Sequence, residues 1–393
     1  MKIKNEQRAK KKGINKKLTV IIFLIIILIF SVTCSNPEDD PNHMINLEPL
    51  KDQFYDYFGI GNIFSSDSEV SGRSYLLHHY NFVTAENNMK PSYLNPSRNN
   101  YNFNTANSMV NAALNSGLKV VGHTLLWHSQ IPEWQEKLRN NTSITKETAI
   151  EYMKKYITDV VTNFKDKIYS WDVINEAFPD GGFTNSWKTS MRSGSQGNPW
   201  FMRIGSDFVY EGFKAARLAD PNAILYYNDY NLNQSNKATM VRDMVKEVNE
   251  NWKNDSANTD KNRLLIEGIG MQSHHNTGVQ PSSIKASLDL FRPLDVVISI
   301  SELDVLSQSW NEYSSNNEPT EQGKQKAAEL YGEYFKLFLE NHDIIERVTF
   351  WGLKDDLSWR ARALPLIFDA RGVAKPAYFK IIGALEAYKN KNP

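Results

Sequence analysis

From about residue 45 onward, short apolar runs alternate with longer amphipathic ones. A short apolar run bounded by turn residues reads as a buried strand. Apolar residues three or four apart over a longer stretch read as a helix with one buried face. On that basis strands are predicted near Gly59–Ile63, Phe82–Ala85, Lys119–Gly122, Tyr169–Ile174, Ile224–Tyr227, Glu267–Met271, Val296–Ser301 and Val348–Phe350. Helices are predicted over Glu147–Lys165, Arg203–Ala219, Ala238–Asn251, Thr320–Asn341 and Pro376–Tyr388. In the first of these, Ile150, Met153, Ile157, Val160, Val161 and Phe164 form one apolar stripe, which belongs to a core rather than to a cofactor box. The polar stretches Asn251–Arg263 and Ser307–Thr320 are predicted to be solvated loops. Eight strand–helix units with no linker between them predict an α/β chain folded as a single (β/α)8 TIM barrel.

In a TIM barrel the chemistry lies at the C-terminal ends of the strands. Polar and aromatic residues collect at those ends here: Glu86 and Asn87; His123, Trp127 and His128; Asn175 and Glu176; Asn228 and Asp229; Gln272, His274 and His275; Glu302 and Asp304; Trp351. Two of the predicted strands, Tyr169–Ile174 and Val296–Ser301, lead to glutamates, Glu176 after Asn175 in the first and Glu302 in the second. A pair of carboxyl groups at one mouth suits hydrolysis of a glycosidic bond, one protonating the leaving oxygen and the other serving the anomeric carbon. The two carboxyl groups must then differ in pKa. Asn175 offers a neutral partner for a sugar hydroxyl, and His274 is a candidate to keep a nucleophilic carboxylate ionised. Trp127, Trp351 and Trp359 are candidate stacking walls for sugar rings, core packing being the alternative. A zinc site built from His274, His275, His123 and His128 is disfavoured. Neighbouring histidines on a strand point to opposite faces, and neither an HExxH pattern nor a cysteine pair is present. No metal and no cofactor is expected.

Composition narrows this further. The net charge of zero conceals eight basic residues within the first 33, and the remaining residues hold 37 basic against 44 acidic side chains, which argues against a nucleic-acid surface. The basic start leads into the apolar run Leu18–Phe30 and then into Cys34, the only cysteine, so no intrachain disulfide can form. Residues 1–34 are therefore read as a signal peptide ending at a lipoprotein-type cysteine, with an uncleaved anchor as the alternative. Residues 35–48 are read as a flexible tether and 49–390 as the catalytic domain. The protein is expected to be exported, either held at a membrane by a lipid on Cys34 or secreted, and to act as a monomer.

Six stretches, in this order, resemble glycoside hydrolase family 10, the endo-β-1,4-xylanases. They are Thr84–Lys90 (TAENNMK), Gly122–His128 (GHTLLWH), Trp171–Ala177 (WDVINEA), Tyr227–Asn231 (YNDYN), Gly268–His274 (GIGMQSH) and Ser301–Asp304 (SELD). The likeness spans about residues 50–388. It implies a retaining mechanism with Glu176 as general acid/base and Glu302 as nucleophile, and with those roles the negative charge of Glu302 is expected to be what keeps Glu176 protonated. It also implies sugar contacts from Glu86, Asn87, Lys90, His123 and Asn175, support of the carboxylates by Gln272 and His274, and a cleft walled by Trp351 and Trp359. Pro91 departs from the family pattern, which has tryptophan after Met-Lys. The implied substrate is xylan. A β-1,4-glucanase of the same fold and a catalytically silent surface glycan-binding protein are the alternatives, the latter disfavoured by the intact glutamate pair.

Overall fold

The structure, a computed structural model, describes residues 36–72 and 74–392. The expected signal peptide and Cys34 lie outside the described residues. Nine strands are present among them: β1 (Gly59–Phe64), β2 (Phe82–Ala85), β3 (Lys119–Leu126), β4 (Ser170–Asn175), β5 (Ile224–Asp229), β6 (Gly268–Met271), the two-residue β7 (His274–His275), β8 (Val297–Val305) and β9 (Ile345–Phe350). They run in the order β6-β5-β4-β3-β2-β1-β9-β8-β7, and β6 also pairs with β8. That last pairing closes the ring, so eight parallel strands form a barrel and β7 adds a short flap beside the end of β8.

Parallel neighbours require a crossover, and helices supply it. Tyr75–His79, Asn104–Asn115, Lys146–Asn163, Asp207–Ala219, Ser235–Asn254, Pro281–Phe291, Glu321–Glu340 and Pro376–Lys391 each follow one barrel strand. The stripe predicted on the third of these is buried at Met153, Ile157, Val160 and Val161. Its start is fixed by Thr145, whose side chain accepts from the Thr148 N–H, a cap worth about 1 kcal/mol. Strand β4 is buried along its whole length, as a parallel strand covered on both faces should be.

The structure departs from the sequence expectations in four places. Strands β3 and β8 run four residues further than predicted, so His123, Glu302 and Asp304 stand within strands rather than beyond them. Polar side chains at a barrel mouth look like a strand end in sequence while the backbone ladder continues. The predicted helix Arg203–Ala219 is broken: Pro199–Ile204 ends at Gly205, whose φ of 81° stops one helix before Asp207 starts the next. The supposed loop Ser307–Thr320 contains a helix, Trp310–Ser314, whose start is closed by reciprocal hydrogen bonds between Ser309 and Glu312. Finally, residues 42–46 are not a loose tether. Met44 and His43 are buried, the Met44 N–H donates to the Gly372 carbonyl (2.9 Å), and the Ala374 N–H donates to the Asn42 carbonyl (2.9 Å). The Met44 side chain joins the core and its carbonyl meets His79 Nε2 at 2.7 Å, which fixes the segment to the barrel.

Candidate active site

A cleft of about 690 Å³ opens at the C-terminal ends of the strands, and all twelve residues nominated from the sequence line it: Glu86, Asn87, Lys90, His123, Trp127, Asn175, Glu176, Gln272, His274, Glu302, Trp351 and Trp359. They arrive on different strand ends and the loops beyond them, so the barrel itself gathers residues that are remote in sequence.

Glu176 follows the last residue of β4 and takes a left-handed backbone conformation, φ 56°. A non-glycine residue there costs on the order of 1–3 kcal/mol and persists only when its surroundings hold it. They do. Its N–H donates to the Asn228 carbonyl (2.9 Å), its carbonyl accepts from Arg192 Nε (3.3 Å), and the next N–H, of Ala177, donates to the Tyr227 hydroxyl (3.1 Å). The conformation ends the strand and turns the carboxyl group into the cleft.

A chain of neutral amides joins the two glutamates. Gln272 Nε2 donates to Glu176 Oε1 (2.9 Å) and lies 3.1 Å from Asn175 Oδ1, which in turn accepts from Asn228 Nδ2 (2.9 Å). The same Asn228 Nδ2 reaches Glu302 Oε1 at 2.8 Å, and the Ser301 hydroxyl donates to Asn228 Oδ1 (2.6 Å). Strand register explains how this is built: Asn228 pairs with Asn175 on one side and with Gly270 on the other. A side chain at Gly270 would put its Cβ 2.1 Å from Asn228 Oδ1, so the glycine makes room for the amide on which the network depends.

Glu302 is buried and Glu176 keeps 14% of its side chain exposed at the cleft, yet the two carboxyl groups are displaced in opposite directions. Burial raises the pKa of Glu176, and Asp229 and then Glu302 raise it further, against the hydrogen bond from Gln272. Burial also pushes on Glu302, but the His274 hydrogen bond, the nearby His123 and Asn228 overcome it and leave Glu302 below its ordinary value. The expectation that Glu302's charge is what keeps Glu176 protonated is therefore corrected. Burial contributes most, and among charges Asp229 outranks Glu302.

His274 accounts for much of this contrast. Its Nε2 lies 3.1 Å from Glu302 Oε2 and its Nδ1 3.0 Å from Asp304 Oδ2. Burial alone would lower its pKa, but the two carboxylates raise it to about 9, so the imidazole is a cation at neutral pH. Asp304 also accepts from Trp359 Nε1 (2.9 Å) and from Arg360 Nη1 (3.2 Å). Thus the indole that faces the cleft is pinned to the same carboxylate that holds the histidine. The neighbouring His275 turns away and packs edge-on against Tyr334, 5.3 Å between ring centres.

On the β2–β3 side, Lys90 Nζ donates to Asn87 Oδ1 (3.0 Å) and sits 5.2 Å from the centre of the Trp127 ring. Burial lowers its pKa, while the charges of Glu302, Glu86 and Glu176 pull the other way. Pro91, the departure noted in the sequence, begins the short helix Pro91–Leu94, a position that suits proline and leaves Lys90 free to enter the cleft. His123 Nδ1 meets Asp172 Oδ2 at 2.8 Å, and its ring packs edge-on against Trp351. Trp351 is buried, whereas Trp359 is 55% exposed.

Several contributors were given no part in the sugar chemistry by the sequence, including His128 and Asp229, which were noted only for their places at strand ends. His128 Nδ1 lies 3.9 Å from Glu176 Oε2, but burial and the cations Arg192, Arg139 and Lys237 lower its pKa to about 3, so it meets Glu176 as a neutral ring and not as an ion-pair partner. Asp229, already noted at its strand end, is paired inside the protein with Lys237 (2.8 Å). Tyr230, Gln234, Trp310 and Arg360 also line the cleft. Trp310 escaped notice because serine, asparagine and glutamate surround it. An isolated tryptophan in such a polar run was the available signal.

Comparison with known proteins settles the family. The model of glycosyl hydrolase family 10 matches residues 49–384. The chain belongs to that family. It is 36% identical over 357 residues to endo-1,4-beta-xylanase A of Thermotoga neapolitana, covering 88% of this chain and 31% of that protein. It is 33% identical to an endo-1,4-beta-xylanase of Geobacillus stearothermophilus, over 86% of this chain and 98% of the relative. The chain therefore spans under a third of the length of the Thermotoga protein and nearly all of the Geobacillus one. Among solved structures, a family 10 xylanase from termite gut that contains a bacterial Ig-like domain superposes with a TM-score of 0.84 at 49% identity, covering 89% of this chain and 80% of that one. Family 10 membership and the closed barrel agree with one another.

Proposed function

We propose that this family 10 chain is an endo-β-1,4-xylanase that cleaves internal bonds of xylan with retention of configuration. The observation that carries the reading is the pair of glutamates in one cleft, bridged by neutral amides and displaced in opposite directions in pKa. Glu302, held ionised by His274, attacks the anomeric carbon. Glu176, held protonated, gives its proton to the departing glycosidic oxygen. The resulting glycosyl ester on Glu302 is hydrolysed when Glu176, now a carboxylate, takes a proton from the incoming water. Glu86, Asn87, Lys90, His123 and Asn175 serve the sugars on the glycone side, and Trp351 and Trp359 close the cleft over the cleavage point. The names of the relatives support xylan as the substrate.

Trp359 also supports xylan over glucan. Its indole stands in the cleft wall with its N–H fixed on Asp304. A fixed flat wall leaves room for a pentose and crowds the CH₂OH of glucose, a difference of about 1–3 kcal/mol, or roughly 10–200-fold. The test is release of reducing ends from xylan and from a soluble β-glucan in parallel, with Glu302→Gln as the blank. Proton NMR of the first product should show the β anomer. Equal rates on both polymers, or an α product, would sink the reading. Trp359→Ala should raise kcat/KM on aryl cellobioside relative to aryl xylobioside. We further propose export with a lipid on Cys34, supported by the order of basic, apolar and cysteine segments; mass spectrometry of the protein taken from its native membrane checks it.

A further inference from the structure

Trp310 lies outside all six stretches that carry the family likeness, yet it lines the cleft and is 52% exposed. A half-exposed indole in the wall of a cleft is apolar surface that a sugar ring can cover. Its position is fixed from several directions. The five-residue helix Trp310–Ser314 is too short to persist by itself. Ser309 and Glu312 close its start, and the Ser314 hydroxyl donates to the Trp310 carbonyl (2.7 Å). Arg362 clamps its other end, Nη2 donating to the Tyr313 carbonyl and Nη1 to Asn316 Oδ1 (both 2.7 Å). Arg362 belongs to the loop after β9, which also carries Trp359. The Ser307 N–H donates to the Ala363 carbonyl (3.0 Å) and the Val305 N–H to the Pro365 carbonyl (3.1 Å), so the two loops are laced together.

The indoles of Trp310 and Trp359 share Arg360. Its guanidinium carbon lies 4.2 Å from the centre of the Trp359 ring and 5.8 Å from that of Trp310, and its Nη1 is held on Asp304 (3.2 Å). Trp359 stands against His274, 5.0 Å between ring centres, and so beside Glu302. Trp310 stands against Tyr313 instead, at 5.7 Å. One indole therefore serves the cleavage point and the other lies further out. Topology gives the direction. The loops after β5, β7 and β8 bring Asn231, Gln234, Asn276, Val279 and Trp310 to the cleft. In the closed ring β6 and β8 stand across from β2 and β3. A sugar chain whose glycone lies against Glu86, Asn87 and Lys90, after β2, and whose scissile bond lies at the two glutamates leaves over this opposite half.

We propose that Trp310 is a specificity-determining residue on the leaving-group side, a fixed platform for the flat face of the second sugar beyond the cleaved bond; the proposal rests on the reading of the protein as a xylan hydrolase. Because the indole is held in place before the substrate arrives, stacking on it costs little ordering of the protein. It favours bonds with at least two sugars on the leaving side, and thus cleavage away from the reducing end.

The test uses xylopentaose labelled at its reducing end, cut by wild type, Trp310→Ala and Trp310→Phe, with the cleaved bond read by mass spectrometry of the fragments. Aryl xylobioside serves as the short substrate. Its sugars take the glycone side and its phenol the first leaving-group position, short of Trp310. Trp310→Ala should lower kcat/KM on xylopentaose roughly three- to tenfold, as loss of one aromatic face implies. Its cleavage should shift toward the reducing end, while aryl xylobioside is turned over as by wild type. Trp310→Phe, which keeps a smaller ring, should fall between the two. An unchanged cleavage pattern in Trp310→Ala would overturn the proposal. So would a shift away from the reducing end, which would put the indole on the glycone side, or an equal loss on aryl xylobioside, which would make it only a prop for Arg360. A wild-type protein that cuts cellopentaose and spares xylopentaose would sink the xylan reading instead, and the same shift would then be read on the glucose chain.

Discussion

The ends of β4 and β8 present the same residue type in the same kind of place and give it opposite ionisation. Both carboxyl groups are largely shielded from water and both accept from an amide of one continuous network. What differs is the remaining company. Glu176 has neutral Gln272 and neutral His128 beside it and an acid, Asp229, behind it. Glu302 has the His274 cation at 3.1 Å. Burial sets a common upward push on both groups, and one cation on one of them reverses it. The opposite ionisation of the two glutamates therefore depends on a histidine that stands beside only one of them.

The largest expected effect separates the two roles outright. Glu176→Gln and Glu302→Gln should each lower turnover of xylan by at least about 10²–10⁴-fold. An aryl xylobioside with a strongly acidic phenol leaving group needs no proton, so Glu176→Gln should still release a burst of phenol while Glu302→Gln should not. Equal loss of the burst in both variants would break the comparison. Next in size is His274→Gln. Without the cation, Glu302 should become harder to ionise, so the acidic limb of the kcat/KM profile should move to higher pH, with a loss of roughly 10–100-fold for one charge-assisted hydrogen bond. A limb that stays in place would mean that His123 and Asn228 suffice.

A smaller effect sharpens the Glu176 side. Carbon-detected titration should show its pKa falling in both Asp229→Asn and Glu302→Gln, and falling further in Asp229→Asn; the reverse order would restore Glu302 as the main partner. The smallest effect concerns stability. His274 has a folded pKa of about 9 against 6.5 for the free side chain. Its charge thus favours the folded state fully below about pH 6.5, and that contribution is lost as pH rises toward 9. Denaturant unfolding of wild type and His274→Gln should give stabilities that converge across this window. A constant gap would show that His274 does not titrate there.

Much of this site was legible in the sequence because the barrel converts strand ends into neighbours. Once eight strands were placed, the residues beyond each were bound to meet, and all twelve nominated ones do. The hidden part depends on distances across the ring. His128 is neutral because burial is reinforced by Arg192, from the loop after β4, and by Arg139, further along its own loop, and neither is marked by position. Arg360 joins the site through Asp304, fifty-six residues earlier. Strand ends were misplaced at β3 and β8 for the same reason that their residues were noticed: polarity there serves the cleft, while the backbone keeps its ladder.

The left-handed backbone at Glu176 has a consequence for how such a chain would age. A glycine or asparagine accepts φ 56° more readily than a glutamate does. The residue proposed to carry the proton transfer is thus also one the fold would exchange at a profit in stability. In a lineage released from selection for turnover, substitution at this position should run toward glycine or asparagine, and the first silent descendants should melt higher than their active ancestor.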